Sequence, residues 1–293
     1  MVAFVILHYG ENQNITYQCI ENLKTAMNDK EYHVVLVDNA TPNGVGQSLK
    51  EYYRKEKYVT VMINEQNEGF ARGNNIGYIW AKKNLNPSYI VVMNNDVMIN
   101  DRSFLEKIEQ IYAETNFYIL GPDIEQVGSG VKQNPMRMHS KAEIKKICIQ
   151  YRRKCKYPRL YYEIEVFQGK FRRRVLDKFI KSSDTIEKIT EKKWQERQYG
   201  VVLHGAFYII AKRYIDREDR LFDPRTFLYW EEYLLWLYCK KNGYTMVYDP
   251  MITVQHYSGI ATNTSCVDTY ERTKRFYKNY YNSIKILIDA WYD

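Results

Sequence analysis

A chain of 293 residues with 45% hydrophobic and 27% charged residues is a folded protein rather than a disordered one, long enough for one large domain or two small ones. Its net charge of +8 is concentrated: positions 132–197 hold 20 Lys and Arg against 8 Asp and Glu, and the remainder holds 23 against 27. A near-neutral body carrying one basic segment seeks phosphate, and that segment has no RNP-like motif, zinc-finger spacing or helix-turn-helix, which argues against nucleic acid as the partner.

The opening MVAFVILHYG is too short to span a bilayer and lacks the basic region and cleavage site of a signal peptide, so residues 2–7 read as a first buried strand. The pattern then predicts a helix over 15–27, a strand over 34–37, a helix around 49–53 and a strand over 59–63. A helix from about 74 to 83, a strand over 89–93, a helix over 102–114 and a strand over 117–120 complete the first half. Strands alternating with helices of this length imply a mainly parallel sheet covered on both faces, with ligands at the strands' carboxyl ends. From position 132 the character changes. Ile144, Ile147, Cys148 and Tyr151 recur at helical spacing among Lys and Arg, as do Val175, Leu176, Phe179 and Ile180. Such helices either lie on an anionic membrane or pack on the body with a solvated basic face. Alternation returns with VVLHGAFYIIAK, the helical run YWEEYLLWLYCKKNG closed by Gly243, the strand YTMVYDP, then QHYSG and an aromatic-rich helix over 268–291.

Two stretches stand out. The strand YIVVMNNDVMIN ends on Asn94, Asn95 and Asp96. These are ordinary turn formers, yet polar groups also end the other early strands, at His8 and Tyr9, at Asp38 and Asn39, and at Asn64. Four polar strand ends make a lined crevice. In NEQNEGFARGNNIG, Gly69, Gly73 and Gly77 stand four apart, which is neither a dinucleotide fingerprint nor a Walker loop. The expectation is a loop whose backbone approaches a ligand closely, with Arg72 in it, leading into a helix N-terminus that meets phosphate.

VDNAT at 37–41, NEGFARGNNIG at 67–77, MNNDV at 93–97, HGAFYII at 204–210 and FLYWEEYLLWLYCKKNGY at 227–244 follow one another as in inverting family 2 glycosyltransferases. The chain resembles most the rhamnosyltransferase-like branch that builds bacterial surface polysaccharides. The resemblance implies a GT-A α/β fold and transfer from a nucleoside-diphosphate sugar, dTDP-rhamnose or a UDP-hexose, to a hydroxyl of a surface or lipid-linked glycan. It directs Asp38 at the nucleobase or ribose, with the backbone at His8 and Tyr9 flanking the base. Asn67, Gly69, Phe70, Arg72, Gly73, Asn74, Asn94 and Asn95 fall in the donor-binding motifs. Asp96, at the place of the DxD motif, is the implied ligand of Mg²⁺ or Mn²⁺ on the pyrophosphate, and His256 approaches the metal or the diphosphate. Gly205 and Ala206 lie beneath donor sugar and acceptor, with His204 beside them. Glu231-Glu232 matches the acidic pair, with Glu232 as base and Glu231 as helper.

One departure is Leu234, where the family often has Asp. It leaves open an alternative, a weak or inactive GT-A binding subunit of a polysaccharide assembly complex. The expected partition is a nucleotide-sugar half at 1–123, a basic, partly helical insertion at 124–200, an acceptor-side half at 201–262 and a C-terminal helix at 263–293. Five cysteines (Cys19, Cys148, Cys155, Cys239, Cys266) without metal spacing suggest reduced thiols in a cytoplasmic protein, peripheral at the inner membrane face.

Overall fold

The computed structural model describes residues 1–28, 30–179, 193–257 and 269–292, apart from the side chains of 169–193. The expectations placed on Ile180, Cys266 and the Ser258-Gly259 of QHYSG lie outside these residues, as do those on the side chains of the second basic helix.

Strand β1 (Val2–His8) lies between β2 (Tyr32–Asp38) and β4 (Tyr89–Asn94), parallel to both, and β3 (Val59–Ile63) extends the sheet beyond β2. These strands are near-continuous apolar runs because both their faces are covered. Phe4, Ile6, Val34, Leu36, Val91 and Met93 pack on one side with Ile20 and Leu23 of α1 (Gln13–Met27) and Ile108 and Ile111 of α4 (Phe104–Thr115). Ala3, Val5, Val35, Val37, Ile90 and Val92 face the other, against α3 (Gly69–Leu85), α8 (Glu231–Lys241) and α9 (Thr269–Tyr292). This is the period-two division of a strand between two covered faces.

The second half of the sheet is mixed. β8 (Phe207–Ala211) runs antiparallel between β4 and β6 (Ile119–Gln126), and β6 pairs in parallel with β9 (Met246–His256). Two short strands that the sequence pattern did not suggest, β5 (Val97–Ile99) and β7 (Gln198–Tyr199), add antiparallel to β9. The expected mainly parallel arrangement holds for β3-β2-β1-β4 and, beyond the single antiparallel strand β8, for β6 and β9, which run in the same direction. Short helices α2 (Val45–Tyr52) and α7 (Lys212–Ile215) complete the α/β body. Between β6 and β7, α5 (Lys141–Lys156) starts on a capping box of Ser140 and Glu143, and α6 (Pro158–Phe179) follows it after a single residue. No helix among the described residues is long and apolar enough to cross a membrane.

Helix α3 begins at Gly69, five residues before its expected start, so Gly73 and Gly77 are helical. A side chain at Gly73 would meet Leu7, and one at Gly77 would reach Val5 at 2.4 Å. These two glycines let the helix settle directly on β1. The loop expected across all three exists only ahead of Gly69.

Candidate active site

The register places His8 opposite Asp38 and Leu7 opposite Asn94, so β1, β2 and β4 finish at one level. Above them opens a cleft of about 1000 Å³, lined on the sheet side by Leu7, Tyr9, Asn39, Asn94, Asn95 and Asp96. Asp38 and His8, facing each other in the register, are buried beside Asn39 and Tyr9 and do not themselves line the cleft. Asp38 Oδ2 accepts from the Thr41 N–H at 3.1 Å and fits only because residue 46 is glycine, where a Cβ would lie 2.5 Å away. Its Oδ1 is buried without a partner, an acceptor left to be satisfied. Burial lowers the pKa of His8 against the opposing pull of Asp38, which favours a neutral ring. Nδ1 of that ring is 2.8 Å from Thr16 Oγ1 and 3.2 Å from Asn95 Nδ2, and Nε2 has no partner.

Asn39, read in the sequence only as a polar strand end, organises the entry to α3. Its amide donates to Asn67 Oδ1 and the Gly69 carbonyl, and its Oδ1 accepts from Asn64 Nδ2 and the Glu68 N–H. Gly69, at φ +74°, brings the chain so close to Phe227 that the Phe70 N–H donates to the Phe227 carbonyl at 2.8 Å. The residues expected around it divide. Asn67, Gly69 and Phe70 reach the cleft, whereas Arg72 turns to the Pro224 carbonyl and Glu68, and Asn74 is buried with its amide on the Phe70 carbonyl.

Pairing of β5 with β9 sets Val97 opposite His256 and thereby brings His256 to Asp96, with Nε2 and Oδ1 3.2 Å apart. His256 Nδ1 lies 2.6 Å from Gln133 Oε1. With Nδ1 on that carbonyl oxygen, Nε2 and the carboxylate oxygen face one another at a distance that a shared proton or a divalent cation spans. Two ligands at adjacent corners of an octahedral Mg²⁺ site, each about 2.1 Å from the metal, stand about 3.0 Å apart. The pair fits a divalent cation completed by phosphate and water. No larger group of His, Cys, Asp and Glu suited to a metal occurs among the described residues.

A second cavity of about 340 Å³ adjoins the first, and Phe70, Asn94, Leu228 and Tyr229 line both. Its walls include His204, Gly205, Ala206, Glu231 and Glu232. The acidic pair opens α8, where the helix dipole favours negative charge, after two consecutive left-handed residues, Tyr229 at φ +75° and Trp230 at +68°. Each costs roughly 1–2 kcal/mol, so surrounding contacts hold the pair in place. Glu231 is buried, with Oε1 unpartnered, while Glu232 is half-buried and accepts from the Gly205 N–H. Burial, and then the charge of Glu232, raises the Glu231 carboxyl above the usual range, and burial raises Glu232. A group of this kind can take a proton near neutral pH. His204 is pushed down to about 4 by burial and by His256, and its Nδ1 accepts from the Ala206 N–H. Leu234 packs in the apolar cluster on a face of α8 outside this cavity, so the absent carboxylate is not missing from its lining.

The family model described as Glycosyl transferase family 2 matches residues 3–180. Among solved structures, Staphylococcus aureus TarS 1–349 is 13% identical with a TM-score of 0.50, covering 87% of this chain and 60% of that one. A second structure of S. aureus TarS is 14% identical, again with a TM-score of 0.50, covering 87% of this chain and 36% of that one. The chain thus spans less than two thirds of either, and at these identities the likeness concerns the fold. No curated protein matches the chain.

Proposed function

We propose, from the fact that the chain belongs to glycosyl transferase family 2, that it is an inverting, metal-assisted enzyme of the rhamnosyltransferase-like kind. It moves a hexosyl or rhamnosyl group from dTDP-rhamnose or a UDP-hexose to a hydroxyl of a surface or lipid-linked glycan. The observation that carries this reading is the adjacency of two cavities across Asn94 and Phe70, one bearing Asp96 and His256 and the other Glu231 and Glu232. That is the separation of tasks a displacement at the anomeric carbon needs.

In this reading the unpartnered Asp38 Oδ1 receives a donor from the nucleobase or ribose, and Tyr9 flanks the base. Asp96 and His256 would hold Mg²⁺ or Mn²⁺, which when bound would offset the charge on the departing diphosphate. Asn94 stands where a second carboxylate is common, so Asp96 would be the one carboxylate of that motif offered to the metal. Gly205 and Ala206 leave room for the donor sugar and acceptor. Glu232 accepts the proton of the acceptor hydroxyl as its oxygen bonds to the anomeric carbon, and the bond from that carbon to the diphosphate oxygen breaks on the opposite face. The Gly205 N–H fixes the Glu232 carboxylate, and the burial of Glu231 beside it keeps the pair's proton affinity high.

The apolar stripe expected on α5 packs on the body instead, with Ile144 buried and Tyr151 stacked on Tyr280 of α9 at 4.1 Å, and it is α6 that supports attachment to an anionic membrane. Leu160, Ile164 and Phe167 are exposed on α6 at i, i+4 and i+7, one helical face, and basic residues flank them. Vesicles containing anionic lipid should bind the protein in a salt-sensitive way that duplex DNA does not reproduce. For the catalytic reading the test is hydrolysis and transfer with a panel of nucleotide sugars with and without Mn²⁺. Activity should appear with at least one donor, depend on the metal, and fall by at least about 100-fold in Glu232→Gln and in Asp96→Ala. Full activity in both variants would show the site to be misassigned.

A further inference from the structure

Helix α9 forms the wall of the large cleft facing the strand ends, and three of its residues there, Arg272, Arg275 and Lys278, are cations. Their spacing of three and six puts them on one helical face. The helix cannot readily rotate that face away. On its other sides Ile284 and Leu287 are in the core, Ser283 Oγ donates to the Leu228 carbonyl at 2.8 Å, and the buried Tyr277 donates to Glu165 at 2.5 Å.

None of the three makes an ion pair or hydrogen bond among the described residues, whereas Lys274 on the same helix pairs with Glu271 at 3.3 Å. The cleft lining contains one carboxylate, Asp96, against these three charges. With a divalent cation at Asp96 and His256, the cleft would carry about two positive charges more than the doubly charged diphosphate of a sugar nucleotide neutralises, or about one with the buried Asp38 counted. Unpaired cations in a concave site raise the local concentration of anions and bind phosphate by charge-assisted hydrogen bonds.

We propose that Arg272, Arg275 and Lys278 form a second phosphate-binding wall that grips phosphate oxyanions across the cleft from Asp96 and His256. The proposal deepens the glycosyltransferase reading and rests on it. Two sources share this chemistry: the donor's diphosphate, and a phosphate or pyrophosphate carried by the acceptor. The charge surplus is what an acceptor phosphate would meet.

The test uses the full chain and the triple variant Arg272→Gln/Arg275→Gln/Lys278→Gln, with Lys274→Gln as the control on a paired cation. All three positions are exposed, so an unchanged melting temperature is expected and checks folding. Calorimetry with Mn²⁺ measures UDP, dTDP and uridine, and then inorganic tripolyphosphate added to protein with and without saturating nucleotide. If the wall holds the donor, the triple variant binds the nucleoside diphosphate about tenfold more weakly and uridine as before. If it holds the acceptor, nucleotide affinity is kept and tripolyphosphate binding falls by about the same factor. Both affinities within about twofold of wild type would overturn the proposal. Wild-type protein that binds no nucleoside diphosphate would count against the glycosyltransferase reading, and the tripolyphosphate comparison would still decide the wall.

Discussion

Gly69 and Gly44 make a matched pair for testing how the cleft is held together. Both have φ +74°, so an alanine at either pays the left-handed penalty of about 1–2 kcal/mol. At Gly44 nothing lies within 4 Å of the added Cβ, and the cost should end there. At Gly69 the Cβ would sit 2.3 Å from the Phe227 carbonyl oxygen and 2.9 Å from its carbon, backbone atoms that cannot swing aside as a side chain would. The chain must separate there, losing the hydrogen bond from the Phe70 N–H, for about 1 kcal/mol more, with loss of packing besides. Gly69→Ala should therefore cost about 2 kcal/mol more than Gly44→Ala in urea unfolding. Activity should separate the two further. Phe227 begins the segment that runs through the strained Tyr229 and Trp230 to Glu231, so a shift of about 1 Å there should lower transfer about 100-fold in Gly69→Ala and leave Gly44→Ala near wild type. Equal stability losses within about 0.5 kcal/mol, together with equal rates, would refute the close approach as the element that sets the acidic pair.

Replacing Glu232 by Gln should lower transfer by about 10²–10⁴ while far-ultraviolet dichroism stays unchanged. The raised Glu231 carboxyl fixes the sign of the pH dependence: its favourable contribution is fully present below the ordinary carboxylate range and is lost as pH rises through the raised folded-state value. Glu231→Gln should accordingly gain stability over wild type from pH 5 to pH 8 in parallel urea titrations, and wild-type transfer should rise over the same interval as the pair gives up its proton. Mn²⁺ added with nucleotide should raise the wild-type melting temperature, and Asp96→Asn or His256→Ala should abolish the metal-dependent part of the shift. Phe167→Glu, on the exposed stripe of α6, should weaken binding to anionic vesicles without changing transfer to a water-soluble acceptor.

Much of the fold is local chemistry, and so the sequence carried it. Runs such as VAFVILH and YIVVMN are apolar on both faces because helices cover both, and that composition is visible before any contact is known. Glu231 and Glu232 open a helix, as their run of apolar neighbours implied. The glycines were legible as a constraint but not as to which kind: Gly73 and Gly77 pack against side chains of β1, and of the three only Gly69 meets another backbone, because a spacing of four suits a helix face as well as a loop. Tertiary structure alone decided what meets what. His256 lies 160 residues from Asp96 along the chain, and the antiparallel β5–β9 pair, from a three-residue strand too short to leave a periodic signal, joins them. The C-terminal helix was marked in the sequence only by its aromatics, and its three cations line the cleft because the contacts of Tyr277 and Ser283 fix how the helix is turned. Composition and periodicity report the environment of each segment, but a site is made where distant segments converge, and that depends on pairings whose free energy is spread over the whole sheet.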